Sequence, residues 1–565
     1  MPSLLSELKR RKVYHAAAFY AAAAWLLVQV ATQVFPFFDL PAVWVRGIII
    51  VAVLGFPLAI GVAWFYEWTP AGFRRESDDE RTENIARIVS MALDRRGMSA
   101  HSLSLPNVPS SFEQSIAVLP FTDMSEGKDQ EYFSDGLAEE VLNLLAQLPQ
   151  LRVVARTSSF SFKGKDFDIA TIASALKVAT LLTGSVRKAG RKLRVSAQLI
   201  RAADSSHLWT QAFESELTDV FALQDTIARA VVAAMRVKLL RTQRLTNPHR
   251  TDNTEAYDQY LIGQNVFRHG RYDDYRRAVP AFERAIALDP DYAPAYAGLA
   301  SAQSAVADYA SDPVQRAAGK HAALASAEQA ITLAPDLADG YVLRGQIRYM
   351  QYWDWKSAEA DFQQALLLDP NNTDLLSLYS LALLNIGRSD EAFILIGRAT
   401  ESDPLSWRAW TLYGLILRQI GSIAEARTAL ERAVEISPDS SFARAVLGLF
   451  DLDEGRADAA LEHFRRAGAG HSQAGIAMAE HSLGHARESL AALDELKQNY
   501  ATGFSLQVAQ AHAWRGEKEA AFEWLDKAFA QHDPGLLRLR GDHQLASLKN
   551  DRRFAALLRQ LNYPD

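Results

Sequence analysis

The side chains of this sequence that could do chemistry are thinly spread. The 565 residues include no cysteine, which removes disulfides, thiolate metal sites and cysteine nucleophiles. Among the histidines, His481 and His485 sit four apart beside Glu480. On an unbroken helix that spacing would put two metal ligands on one face, but Gly484 falls between them at an expected turn, and no H-E-x-x-H run occurs. No metal site is expected. FKGKDF (Phe162–Phe167) offers a Gly-Lys pair without the upstream glycine or the following Ser/Thr of a phosphate-binding loop, so it reads as a basic loop. Glu139 and Glu140 are adjacent and therefore point to different faces of a helix. They cannot flank one substrate, and favourable charge near a helix start accounts for them. His15, Gln29 and Gln33 lie in an apolar run, where helix contacts explain them more simply than a proton relay. RKAGRK (Arg187–Lys192) is a turn that could touch phosphate, yet a net charge of -7 gives no electrostatic case for nucleic acid. A G-x-S-x-G elbow is absent. No catalytic residue, cofactor or metal ligand is nominated.

What remains is a scaffold, and its key is Arg408–Asp439, RAWTLYGLILRQIGSIAEARTALERAVEISPD. Trp410, Gly414, Gly421, Ala426, Ala433 and Pro438 fall at offsets that resemble the tetratricopeptide repeat, a helix–turn–helix unit of about 34 residues. Small side chains at Gly414, Ala426 and Ala433 would let two helices approach closely, and Pro438 would end the second. The same seam recurs at Gly448, Ala460, Phe464 and Ala467. Repeat ends at Pro290, Pro335, Pro370, Pro404 and Pro438, with Ser472 in register, imply about seven or eight units across 254–565. The longer first interval implies an insertion near Asp308–Gly319, and the tail implies a capping helix.

Upstream, 115–245 alternates strand and helix signals: a strand at Ser115–Phe121, a helix capped by Ser134 or Asp135, a strand at LRVVAR, a helix over Asp168–Lys177, two strands around Ala189–Gly190, a last strand at SHLWTQAF and a closing helix from Val220. A small α/β sandwich follows. SIAVLPF, EYFSDGLAEE, LRVVARTSSFSFKG, LTGSVR, RVSAQLI, HLW and FALQDTIA together resemble the amino-terminal domain of bacterial TolB-like proteins. That resemblance implies a docking or sensing module, which in the family links a membrane segment or regulatory head to tetratricopeptide repeats. Neither the cyclase nor the winged-helix head found in some members is read before the hairpin, so neither activity is expected to carry over.

The first 75 residues carry two apolar runs, about 13–35 and 42–65, each long enough to cross about 30 Å of hydrocarbon. The tight link Pro36–Pro41 makes them a transmembrane hairpin, with Trp44, Trp64, Tyr66 and Trp68 near the span ends. Lys9, Arg10, Arg11, Lys12, Arg74 and Arg75 flank it, so the positive-inside rule places the soluble domains in the cytoplasm of an inner membrane, with Arg46 opposing and a periplasmic orientation as the alternative. Residues 76–114 read as a linker.

The expected fold class is thus multidomain: a transmembrane hairpin, a small α/β domain and an all-α solenoid of repeats. The expected function is a non-enzymatic, membrane-tethered adaptor, bound to lipid through its hairpin and to a protein or peptide through a groove, where the resemblance to the repeat implies Asp374, Asn385, Arg408, Arg418 and Gln419. The repeat array carries 31 basic and 43 acidic residues, which is compatible with a basic partner segment. The alternative is a regulator of the cyclase-associated or transcriptional type whose α/β domain senses a ligand or holds an unrecognised activity.

Overall fold

The computed structural model describes residues 66–69, 72–75 and 114–563, apart from 149, 191, 236–246, 311, 469–470 and 501–502. The chain divides into two compact units, Met1–Ser99 and Ala100–Asp565. In the first, β1 (Tyr66–Thr69) and β2 (Gly72–Arg75) form an antiparallel hairpin with Tyr66 opposite Arg75 and Thr69 opposite Gly72. Tyr66, Trp68, Arg74 and Arg75, expected to flank a membrane helix, are therefore strand residues. The proposed spans 13–35 and 42–65 lie outside the described residues. Among the described residues no helix is long and apolar enough to cross a membrane. The expected fold class is corrected accordingly to a small sheet domain followed by helical repeats, and the inner-membrane placement is not carried forward.

The second unit opens with a sheet of order β5-β3-β6-β7-β8, with β4 also pairing β6. Strand β3 (Ser115–Val118) runs parallel to β5 (Arg152–Val153) and β6 (Thr180–Ala189), as does β4 (Thr122–Asp123) to β6. Strands β6, β7 (Lys192–Arg201) and β8 (His207–Glu216) form an antiparallel meander. Helices α1 (Glu131–Ala146), α2 (Arg156–Phe160), α3 (Ile169–Leu176) and α4 (Val220–Ala234) complete it. Alternation along the strands sorts the core. Ile116, Val118, Val195 and Leu199 join Leu137, Val141, Ile227 and Val231, while Ala117, Leu119 and Leu181 join Ile172 and Leu176 of α3 on the other face.

Two local expectations change. Helix α1 starts three residues before Ser134, because the Asp123 carboxylate accepts the Ser125 and Gln130 amides and fixes the approach. Ser134 and Asp135 are buried inside α1 rather than capping it. The strand expected at LRVVAR is only two residues long, since Arg156 already begins α2. Asp168 does cap α3, accepting the Thr171 amide at 2.7 Å.

Eight helical pairs follow among the described residues. They are Thr254–Phe267 and Tyr272–Leu288 (α5, α6), Ala293–Asp308 and Pro313–Leu333 (α7, α8), Ala338–Tyr352 and Trp355–Leu368 (α9, α10), and Thr373–Asn385 and Ser389–Ser402 (α11, α12). The remainder are Trp407–Gln419 and Ile423–Ile436 (α13, α14), Ser441–Asp453 and Ala457–Ala467 (α15, α16), His471–Ser482 and Ala486–Tyr500 (α17, α18), and Ser505–Trp514 and Lys518–Ala530 (α19, α20). The long interval before Pro335 is taken up by α8, at 21 residues. A 3₁₀ segment, Pro534–Gly541, precedes the last helix, α21 (Arg552–Gln560).

Packing within a pair explains the small residues. A Cβ on Gly414 would lie 2.7 Å from Leu430 Cδ2 and 3.1 Å from the Ala426 carbonyl oxygen, and one on Gly448 would lie 2.8 Å from Phe464 Cε1. Ala426, Ala433, Ala460 and Phe464 are fully buried, and Ala467 is nearly so. Trp410 donates its indole N–H to the Pro404 carbonyl and meets Tyr413 edge-on, while Pro438 follows the end of α14. Buried carboxylates pin helices together. Asp361 accepts from Arg344 and Arg348, each at 2.7 Å, and Asp451 is held by Arg427, Arg456 and His463.

The α/β elements and the repeats pack as one unit. Glu139 bridges Arg156 of α2 and Arg268 after α5, and Leu261 fills the space over Gly136. The stretch 247–253, which joins the two parts, is tied down by Arg250 to Asp225 and Thr251 to Asp289. Helix α2 also reaches the turn after α12. Ser158 Oγ donates to Asp403 and accepts the Leu405 amide at 2.8 Å, and the Ala155 amide donates to the Ser402 carbonyl at 2.8 Å.

Candidate functional site

The first helix of each pair turns one face inward, and residues seven apart share that face. Leu381, Leu415 and Leu449 occupy equivalent inner positions of α11, α13 and α15. With Phe442, Val446 and Met478 they make the apolar wall of a cavity of about 110 Å³. Asn385, Arg418 and Gln419 stand at the polar rim together with Gln507 and Gln510. Three of the five sequence-nominated groove residues are thus brought together.

Each is held by a specific partner or left open. Asn385 is buried and donates to the Tyr349 hydroxyl at 2.5 Å. Arg418 Nη1 lies 2.7 Å from Asp453 Oδ2, with 13% and 16% of the two side chains exposed. Its Nε–H and the Gln507 side-chain carbonyl are buried without a hydrogen-bond partner. Burial pushes the Asp453 carboxyl up to about 6 against the pull of Arg418. Gln419 is exposed. The mixture of an apolar wall with amide and guanidinium side chains suits an amphipathic segment of chain.

Asp374 and Arg408 lie elsewhere. They sit at the amino-terminal ends of α11 and α13, eleven and ten residues before Asn385 and Arg418, which is about 15 Å along each helix. Arg408 stacks over Trp407, 4.7 Å from the ring centre. The structure therefore does not unite these two with the other three.

Sequence reasoning missed the wall supplied by the carboxyl-terminal tail. Arg538, Gly541, Asp542 and Gln544 line the same cavity. Gln510 donates to Asp542 at 2.5 Å, and Gln544 Nε2 donates to Asp453 at 3.0 Å. The signal was PGLLRLRG (Pro534–Gly541), which abandons the small-residue seam of the repeats and alternates leucine with arginine.

The other chemical candidates have structural employment. Lys163 of FKGKDF pairs with Asp135 at 2.6 Å and Glu131 at 2.7 Å. Glu139 and Glu140 lie in the third turn of α1, not at its start, which corrects the helix-end reading. Glu139 takes the two arginines already named, and Glu140 accepts from Asn247 at 3.3 Å. Burial, followed by the adjacent Glu139 charge, pushes Glu140 up to about 7. Glu480 faces His485 at 2.7 Å and Arg465 at 3.0 Å, and Gly484 sits between the helices at φ +82°. Among the described residues no group of three or more His, Asp or Glu is placed to hold a metal.

Comparison with known proteins fits this division. A tetratricopeptide-repeat family profile matches residues 394–441, and the chain carries these repeats. Residues 112–230 match the profile described as HilA/YgeH-like transcriptional regulator, second domain, a different family from the TolB-like one the segment resembles. A protein named putative adenylate cyclase 3 from Rhizobium meliloti (strain 1021) is 36% identical over 195 residues, covering 34% of this chain and 33% of its own length. The chain thus spans about a third of that relative. Among solved structures, Pseudomonas aeruginosa PilF is 17% identical, with a TM-score of 0.32 over 41% of this chain and 98% of its own. YrrB, described as a TPR protein with an unusual peptide-binding site, is 21% identical, with a TM-score of 0.27 over 38% of this chain and 98% of its own.

Proposed function

We propose that this chain is a non-catalytic adaptor whose repeat array holds an extended segment of a partner protein along the inner face of α11, α13 and α15. The observation that carries the reading is the cavity itself. Leucines at matching positions of successive repeats form an apolar floor, and Arg418, Gln419 and Gln507 supply polar groups at its rim. Alternate apolar and polar contacts of that kind recognise a peptide by its side-chain pattern. The match of residues 112–230 to a domain of transcriptional regulators supports work in a regulatory assembly, with the α/β domain as a docking element held against the repeats.

The test is capture of partners by the full chain, compared with Leu415→Glu and Gln419→Ala. Leu415 is partly buried on the cavity floor and Gln419 is exposed, so both changes alter the groove more than the packing seam. Capture should fall at least about tenfold for Leu415→Glu, a loss of about 1.4 kcal/mol, with the melting temperature little changed. Equal capture by both variants and the parent would remove this surface from consideration.

A further inference from the structure

The segment Pro534–Gly541 is built unlike the rest of the array. It is a run of eight residues in 3₁₀ conformation, whereas 3₁₀ runs longer than three or four residues are uncommon because their hydrogen-bond geometry is poor. Such a segment does not hold its own shape. Its shape is imposed by what it touches, as for a bound peptide. Leu536, Leu537 and Leu539 are buried. Arg538 lines the cavity opposite Leu381 and Leu415, and Arg540 donates to the Ile386 carbonyl at 3.3 Å at the end of α11. The segment is held at its start and near its middle. Asp533 accepts the Gly535 and Leu506 amides at 2.8 and 3.1 Å, and the Tyr563 hydroxyl donates to the Leu536 and Leu537 carbonyls at 3.1 and 2.7 Å.

Resting on the peptide-groove reading, we propose that Pro534–Gly541 is a tethered occupant of the groove, and that the groove's partner is a short leucine-rich basic segment of the same chemistry that competes with it. Charge agrees: the segment carries Arg538 and Arg540 and no acid, while the repeat array carries 43 acidic residues against 31 basic. Its leucines are buried, Arg540 meets the Ile386 carbonyl, and Arg538 lines the cavity beside Asp542. A partner reading the same surface needs the same alternation. The protein would then show its groove only when the tail yields.

The probe is a synthetic peptide spanning Gln531–Leu545, titrated by fluorescence anisotropy into the full chain and into the double variant Leu537→Ala/Arg540→Ala. The variant weakens the tail's seat without touching a repeat seam. Binding at least tenfold tighter to the variant than to the parent chain is expected. Equal affinity for both would overturn the tethered-occupant proposal while leaving the groove standing as a peptide surface. Binding to neither would overturn both readings. Should the variant fold poorly, hydrogen exchange on the parent chain decides: Leu536–Gly541 should exchange faster than α20 and α21 on either side. Exchange of all three at one rate would mean that the tail is a permanent cap, and the proposal fails.

Discussion

At the scale of single residues the array is governed by side chains that have no room and charges that have no water. Ala433 is fully buried, and larger side chains in filled sites cost about 1–3 kcal/mol. Ala433→Leu should therefore lower the melting temperature, with the loss of amide protection centred on α13 to α15 in hydrogen exchange. Arg418→Ala, in contrast, will not be neutral for folding as a groove residue should be. Its partner Asp453 is only 16% exposed and would keep a single neutral donor, Gln544. Glu140 gives the pH dependence. Its pKa is raised to about 7 in the folded chain from the usual 4.5, by burial first and the Glu139 charge next, with Asn247, Arg250 and Arg268 opposing. The folded state therefore holds this proton more tightly than the unfolded one. The associated stability is full below about 4.5 and is lost as pH rises through about 7. Glu140→Gln should be more stable than the parent at pH 8 and close to it at pH 4.5, as followed by thermal melts. A parent-like pH profile in the variant would assign the effect to other carboxylates.

At the scale of elements, what was legible in the sequence was what local rules determine. The helix after Asp168, the β6–β7 turn and the helix that begins at Val220 all follow from residue type and period, and so do the proline-marked repeat ends. The start of α1 was not legible, because it depends on Asp123 reaching across a loop to two amides. Nor was the function of Glu139, whose partners Arg156 and Arg268 lie 17 and 129 residues away. The hairpin at 66–75 was not legible, because its aromatic and basic residues read as the flank of the preceding apolar run. The groove was half legible for a similar reason. The resemblance to the repeat implies which first-helix positions face a groove but cannot say which neighbouring element covers them, so it named Asn385 and Asp374 alike. The seat of α2 on the repeats is testable. Ser158 is fully buried between Asp403 and the Leu405 amide, and leaving such groups unsatisfied costs about 1–3 kcal/mol. Ser158→Ala should speed exchange at both Arg156–Phe160 and the turn after α12, while Ser161→Ala should not.

Across the unit Ala100–Asp565, the repeats do not end as an open stack. In an open solenoid each repeat contacts only its neighbours, and removing the last unit disturbs the one before it. Here the tail returns to the second and third pairs. Trp355 of α10 donates its indole N–H to the Leu561 carbonyl at 2.9 Å and packs on Tyr563. Trp353 stacks on His532 with ring centres 4.6 Å apart, and Arg316 of α8 reaches the Gln531 carbonyl at 3.5 Å. These contacts join residues about 200 positions apart in sequence, so α8 to α10 owe part of their stability to the end of the chain. A chain stopped after Ala530 should therefore lose hydrogen-exchange protection in two separated places, α19–α20 and Pro313–Leu368, with α13–α14 between them much less affected. Trp355 is buried and Tyr563 half-buried, so Trp355→Ala in the full chain should reproduce the distant half of that pattern, at the several kcal/mol typical of emptying a large aromatic site. Loss confined to α19–α20 in the shortened chain would show that the return of the tail adds no stability, and that the array behaves as an ordinary open stack.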